Sequence, residues 1–150
     1  MTDGDGQPID CEFCAIARGQ DSSVEIVCEA EEWVAFFPLE PATPGHTLII
    51  PRVHAPNLWE APPSLAAELM AAIVRVGNAI EHALHPEGMN LITSAGSVAE
   101  QTVFHLHLHV VPRWTRDGFG RIWPIEDKSY SDAQLQEAAK MIRQKCSQDD

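Results

Sequence analysis

The segment Phe104-His105-Leu106-His107-Leu108-His109-Val110-Val111-Pro112 places three of the chain's seven histidines at a strict spacing of two. On an extended strand, successive side chains face opposite sides. The imidazoles of His105, His107 and His109 then share one face, and Leu106, Leu108 and Val110 take the other. Same-face neighbours stand ~6.6 Å apart along a strand. Such a row has three readings: a polar strand face, a metal site in which His-x-His supplies two ligands, or covalent catalysis. In the last, one imidazole attacks phosphorus while its neighbours orient it and assist the leaving group. Three histidines at period two argue against a chance polar face. Spacing alone leaves metal and catalysis open. A second candidate cluster is Cys11-x-x-Cys14, which in a chain kept in the cytosol reads as metal or redox chemistry. Cys28 reads as a small buried apolar residue and Cys146 as a tail thiol.

The elements that must position these groups can be read from apolar pattern and breakers. Phe13 to Arg18, stopped by Gly19, predicts a short helix. Val24–Cys28 and Trp33–Phe37 are rich in β-branched and aromatic residues, with a polar run between them, and predict a hairpin or meander. Pro38, Pro41 and Pro44-Gly45 break the chain before a strand at His46–Ile50, closed by Pro51. Leu65, Leu69, Ala72, Ile73, Val76, Ile80 and Leu84 recur at spacings of three and four and mark one long amphipathic helix after Pro62-Pro63. Asn90–Thr93 and Val103–Val111 predict two more strands around a polar loop, Ser94 to Thr102. Ser131 with Gln134 is a capping box that opens a C-terminal helix. Strands grouped on either side of a helix favour an α+β fold: a mainly antiparallel five-stranded sheet, one long helix and a C-terminal helix. The expected organisation is a flexible N-terminus over 1–10, a domain over 11–125 and a helical tail over 126–150.

Length and charge bound the function. The chain's 150 residues are 45% hydrophobic, enough for one core, and carry a net charge of −12. Residues 1–32 hold nine acids and one base, whereas 33–125 hold seven acids and five bases, so the excess sits at the N-terminal end. A field of this sign repels phosphate backbones and argues against a nucleic-acid partner. A small anion can still bind the middle, where Arg52, Arg113, Arg116 and Arg121 lie. The long helical pattern is interrupted by Glu68, Arg75, Asn78 and Glu81, so no membrane span is expected. The opening MTDGDGQPID does not resemble a secretory signal, and the expected compartment is the cytoplasm.

With these residues in view, the sequence resembles a known family. His105-Leu-His-Leu-His-Val-Val111 is similar to the defining motif of the histidine triad (HIT) proteins. Cys11-Glu-Phe-Cys14, Pro44-Gly-His-Thr-Leu-Ile-Ile-Pro-Arg-Val-His54, Gln101-Thr-Val-Phe104 and Gly118-Phe-Gly120 resemble bacterial members in order and spacing, across roughly residues 10 to 125. The resemblance implies a HIT-like homodimer whose sheets join edge to edge. It implies a nucleotide hydrolase or transferase acting at the α-phosphate of nucleoside phosphoramidates or dinucleoside polyphosphates. His107 would be the nucleophile, forming a nucleotidyl-histidine. His105 and His109 would hold phosphate oxygens and assist the leaving group, and His46 would support the row. Gln101, Thr102 and Ser94 would contact the phosphate, with Phe36 and Leu39 in the nucleoside pocket. Cys11, Cys14, His54 and His105 would form a structural zinc site, with no metal required for catalysis. Two positions depart from the pattern: Pro38 stands where many members carry a ribose-binding Asp, and Glu100 where Gly is common. These favour the alternative of a slow or inactive nucleotide-binding regulator. A zinc-dependent hydrolase is the other alternative.

Overall fold

In the computed structural model of the chain, which describes residues 10–124 and 129–147, nearly every expected element is present. The expectation of a flexible segment over 1–10 falls almost wholly outside the described residues. Helix α1 runs Glu12–Ala17 and ends in a Schellman turn. The Gln20 N–H donates to Ala15 O and the Gly19 N–H to Ile16 O, with Gly19 at φ +70°. Strands β1 (Glu25–Glu29), β2 (Trp33–Phe37), β3 (Thr47–Pro51), β4 (Gly88–Ile92) and β5 (Leu108–Arg113) form one antiparallel sheet in the order β1-β2-β3-β5-β4. Helix α2 spans Pro63–Leu84, opened by Pro63 in its first turn and closed by His85 in the left-handed region at φ 48°.

The two sheet faces bury different partners. Leu65, Leu69, Ala72, Ile73, Val76 and Ile80 of α2 pack on Trp33, Ala35, Ile49, Leu106, Leu108 and Val110. By length and composition α2 could cross a membrane, but its apolar stripe is the core of this face. On the opposite face, Phe13, Ile16 and Ala17 of α1 cover Val34, Phe36, Leu48 and Ile50. Leu84 ends the stripe differently, resting on the turn before β3. A Cβ on Gly45 (φ +83°) would lie 2.3 Å from Leu84 Cδ1, so that turn requires glycine twice over. Arg52, just past β3, ties α1 to the β1–β2 turn by donating to Ala17 O and Ala30 O and pairing with Glu29.

One element departs from expectation. The strand predicted over Val103–Val111 is laddered only from Leu108 and runs on through Pro112 to Arg113. Ahead of it the Leu106 N–H donates to Ala55 O instead of to a sheet neighbour, so His105 and His107 sit on irregular chain. Side-chain alternation survives this break: Leu106 is buried against α2, and the histidines face α1.

The residues fall into two compact units, one through Phe119 and one from Gly120. In the second, α3 (Asp132–Cys146) begins at the expected capping box, in which Ser131 and Gln134 bond reciprocally.

Candidate active site and metal centre

Hydrogen-bond chemistry fixes which nitrogen of each imidazole carries a proton. His46 sits where the proline-broken loop enters β3, and its Nδ1 accepts the Ala42 N–H at 3.0 Å. In a neutral ring the proton is then on Nε2. His46 Nε2 lies 2.9 Å from His109 Nδ1, so it donates there, and His109 in turn carries its proton on Nε2. His107 is set the opposite way: its Nδ1 lies 2.7 Å from His105 O, an acceptor only, so Nδ1 donates and Nε2 keeps a lone pair. The Thr93 hydroxyl donates to His107 O at 2.9 Å and holds the backbone there. The site therefore presents one nucleophilic nitrogen and, 5.0 Å away between ring centroids, a ring whose outer nitrogen is a donor. Burial lowers the pKa of His46 and His107. His109 is pushed down to about 4, by burial first and then by His107 and His46 beside it. All three rings are neutral at pH 7.

His105 does not share this chemistry. It is fully buried, its Nε2 donates to Pro51 O at 2.9 Å, and its Nδ1 faces Cys11 Sγ and Cys14 Sγ, each at 3.5 Å. Both nitrogens are committed. The phosphate-holding role expected of His105 finds no spare ring nitrogen here, since both face groups of the protein itself.

What His105 does join is a quartet. Cys14 Sγ is also 3.5 Å from His54 Nδ1, and the four ligand atoms of Cys11, Cys14, His54 and His105 lie within 4.8 Å of one another. Bond lengths of ~2.3 Å to sulfur and ~2.05 Å to nitrogen imply a tetrahedral S···N edge of ~3.6 Å around zinc. Three observed edges match that value, so the residues fit a tetrahedral ion. The fold supplies them from one end of α1, the segment after β3 and the chain leading to β5.

The expected substrate contacts divide. Gln101 is buried and its side chain is spent on structure: Oε1 accepts the Gly96 N–H, and Nε2 donates to Pro56 O and Val103 O. A phosphate contact through that side chain, as expected, would compete with these three bonds that hold the loop. Phe36 is 1% exposed and edge-on to Phe13 at 5.6 Å, so it is core and offers no face to a base. Leu39 is 73% exposed beside Pro38. Thr102 is exposed and Ser94 half-buried. Thr93 and Phe13 were missed by sequence reasoning. A threonine in a strand and an aromatic between two cysteines carry no chemical signature of their own.

A HIT-domain model matches residues 20–116. The chain belongs to the HIT family. Among relatives of this HIT protein, adenylylsulfatase HINT3 of Arabidopsis thaliana is 33% identical over 133 residues, covering 89% of this chain and 66% of that protein. Adenosine 5'-monophosphoramidase hnt1 of Schizosaccharomyces pombe is 32% identical over 115 residues, covering 76% and 83%. A HIT family protein from Bacillus anthracis superposes with a TM-score of 0.82 at 36% identity, covering 91% of this chain and 97% of that one. A zinc-bound histidine triad protein from Mycobacterium smegmatis gives 0.68 at 34%, covering 86% and 97%. The five-stranded sheet with its long helix is thus the HIT fold, and the family includes nucleotide hydrolases.

Proposed function

We propose that this HIT protein hydrolyses nucleotidyl bonds at the α-phosphate through a nucleotidyl-histidine on His107. The observation that carries the reading is the hydrogen-bond geometry that leaves a lone pair on His107 Nε2 and a proton on His109 Nε2. His107 Nε2 attacks phosphorus, a P–N bond forms and the bond to the leaving group breaks, with the electron pair departing on that group. The positive charge on the modified ring is shared with His105 O through Nδ1–H. Water then adds to phosphorus, the P–N bond breaks, Nε2 regains its lone pair and the water proton is released. The His109 Nε2–H serves as a hydrogen-bond donor to a phosphoryl oxygen or to the leaving atom, and where that atom is a nitrogen it takes a proton from solvent as it departs as an amine. The names of the two relatives support adenylyl sulfates and adenylyl phosphoramidates as the substrate class, and dinucleoside polyphosphates share the same phosphorus chemistry.

The ion we propose for Cys11, Cys14, His54 and His105 is zinc, supported by the two-sulfur, two-nitrogen donor set and the zinc-bound relative. When bound it supplies a structural cross-link, and the attack by His107 does not run through it. β4 is a sheet edge with Met89 and Leu91 exposed, which supports a homodimer joined there. The expected setting is the cytoplasm, with a small nucleotide as partner and neither nucleic acid nor membrane.

Pro38 and the exposed Glu100 favour the second reading, a nucleotide-binding regulator. The test is incubation with adenylyl sulfate, an AMP phosphoramidate and a dinucleoside polyphosphate, with and without chelator. AMP release and an adenylylated His107 trapped by mass spectrometry are expected in both arms. Binding without release from any of the three would replace the hydrolase with the regulator. Release abolished by chelation in a folded protein would favour metal-dependent hydrolysis.

A further inference from the structure

We propose that Phe13 is a positioning residue that fixes the plane of the His107 ring and so links the metal-ligand segment to the nucleophile. This inference rests on His107 being the attacking group. Phe13 lies between the two cysteines on α1 and is itself buried. Its ring meets three others edge-on: Phe36 at 5.6 Å, His105 at 6.0 Å and His107 at 5.3 Å, the last with planes 86° apart. His107 is flanked by His109 at 5.0 Å and 69°, so neighbouring rings confine its plane. That confinement matters because the χ2 torsion of histidine is broad and intrinsically unselective. The Nδ1–H bond to His105 O holds one atom of the ring. A second contact, the nearly perpendicular ring-on-ring one, is needed to stop the ring from swinging about that bond and carrying Nε2 off line. Phe13 supplies it, and the same residue is anchored by the helix turn that presents Cys11 and Cys14.

The experiment compares Phe13→Met, which keeps apolar bulk but not the rigid ring, with Phe13→Tyr, which keeps the ring. Ile16→Ala serves as a control that loosens the same apolar cluster without removing an aromatic ring. Phe13→Leu takes the place of Phe13→Met should that variant not fold. With adenylyl sulfate as probe, kcat is expected to fall about ten- to a hundredfold in Phe13→Met, since small misplacements of reacting atoms cost that much. KM and metal content should stay within threefold of the parent, and Phe13→Tyr should recover most of the rate. Imidazole 15N NMR of His107 should show one Nδ1–H state in the parent and Phe13→Tyr, and averaging in Phe13→Met. Phe13→Met with kcat within twofold of the parent overturns the proposal, as does an equal loss in Ile16→Ala or loss of metal with loss of rate. Absence of turnover in the parent would sink the hydrolase reading instead, while the NMR comparison would still judge Phe13.

Discussion

His105 and His107 are two residues apart, both buried, and opposite in use. His105 donates Nε2–H to Pro51 O and turns Nδ1 toward two sulfurs, so nothing is left for a substrate. His107 donates Nδ1–H to the His105 carbonyl and keeps Nε2 unspent. Identical side chains at identical spacing are turned toward different proposed roles, ligand and nucleophile, by what the second nitrogen meets. The largest expected effect tests that division. His107→Ala should lower turnover by about 10³-fold or more with the fold intact, because it deletes the attacking atom. A variant within tenfold of the parent, measured by AMP release, would break the comparison. Cys14→Ser acts on the other side of it. Cys14 is 1% exposed and serine is a poor zinc ligand. With several kcal/mol of metal-linked folding energy lost, Tm should drop by about 10 °C or more. Rate at a temperature where the variant stays folded should fall no further than in Phe13→Met. A collapse to the His107→Ala level would make the quartet catalytic.

Titration sharpens the same contrast. Free imidazole chemistry predicts loss of activity near pH 6.5, but burial lowers the pKa of the attacking His107, and His109 beside it is held down to about 4. A depressed folded pKa keeps the neutral, active form to lower pH. The acid limb of kcat/KM should therefore lie below the free-imidazole value of ~6.5. The stability linkage runs the same way. The unfolded chain takes up protons near 6.5 and the folded site does not, so stability is full above 6.5 and declines as pH falls toward 4. A limb centred at 6.5 would mean the pair is wetter than its geometry implies.

The amphipathic α2, the Gly19 stop and the Ser131 box were legible in sequence because each depends on local spacing. The quartet was legible only by resemblance. Cys14 is 40 residues from His54 and 91 from His105, and no local pattern spans such gaps. The break at 103–107 was hidden because alternation continues through it. What decides the pairing there is the Ala55 carbonyl taking the Leu106 N–H, a contact between segments 51 residues apart. Ring orientation was equally invisible: period two places three imidazoles on one face but cannot say where each nitrogen points.

The proposed nucleoside pocket would lack a group that the resemblance leads one to expect, since Pro38 stands in place of a carboxylate. Pro38→Asp should tighten AMP binding about ten- to a hundredfold, the value of a hydrogen bond to a carboxylate at ~1.5–3 kcal/mol. Unchanged affinity in a folded variant, measured calorimetrically, would mean the pocket grips the sugar elsewhere.

The smallest effect concerns the loop that leads into the row. Glu100 adopts φ 66°, a left-handed conformation that costs a side-chain-bearing residue ~1–2 kcal/mol, while its N–H closes the turn onto Ser97 O. The buried Gln101 that follows fixes this loop by bonding Gly96, Pro56 and Val103, so the strain cannot relax by moving the turn. Glu100→Gly removes the strain but gives the unfolded chain more freedom, which offsets part of the gain. A net gain of about 0.5–1 kcal/mol should raise Tm by about 1–4 °C. Because the exposed carboxylate bonds neither His107 nor His109, kcat should not move. If its charge faces the bound phosphate, KM should fall with its removal, and fall less at high salt. A drop in kcat would mean that the loop, and not only Phe13 and the His105 carbonyl, sets the nucleophile.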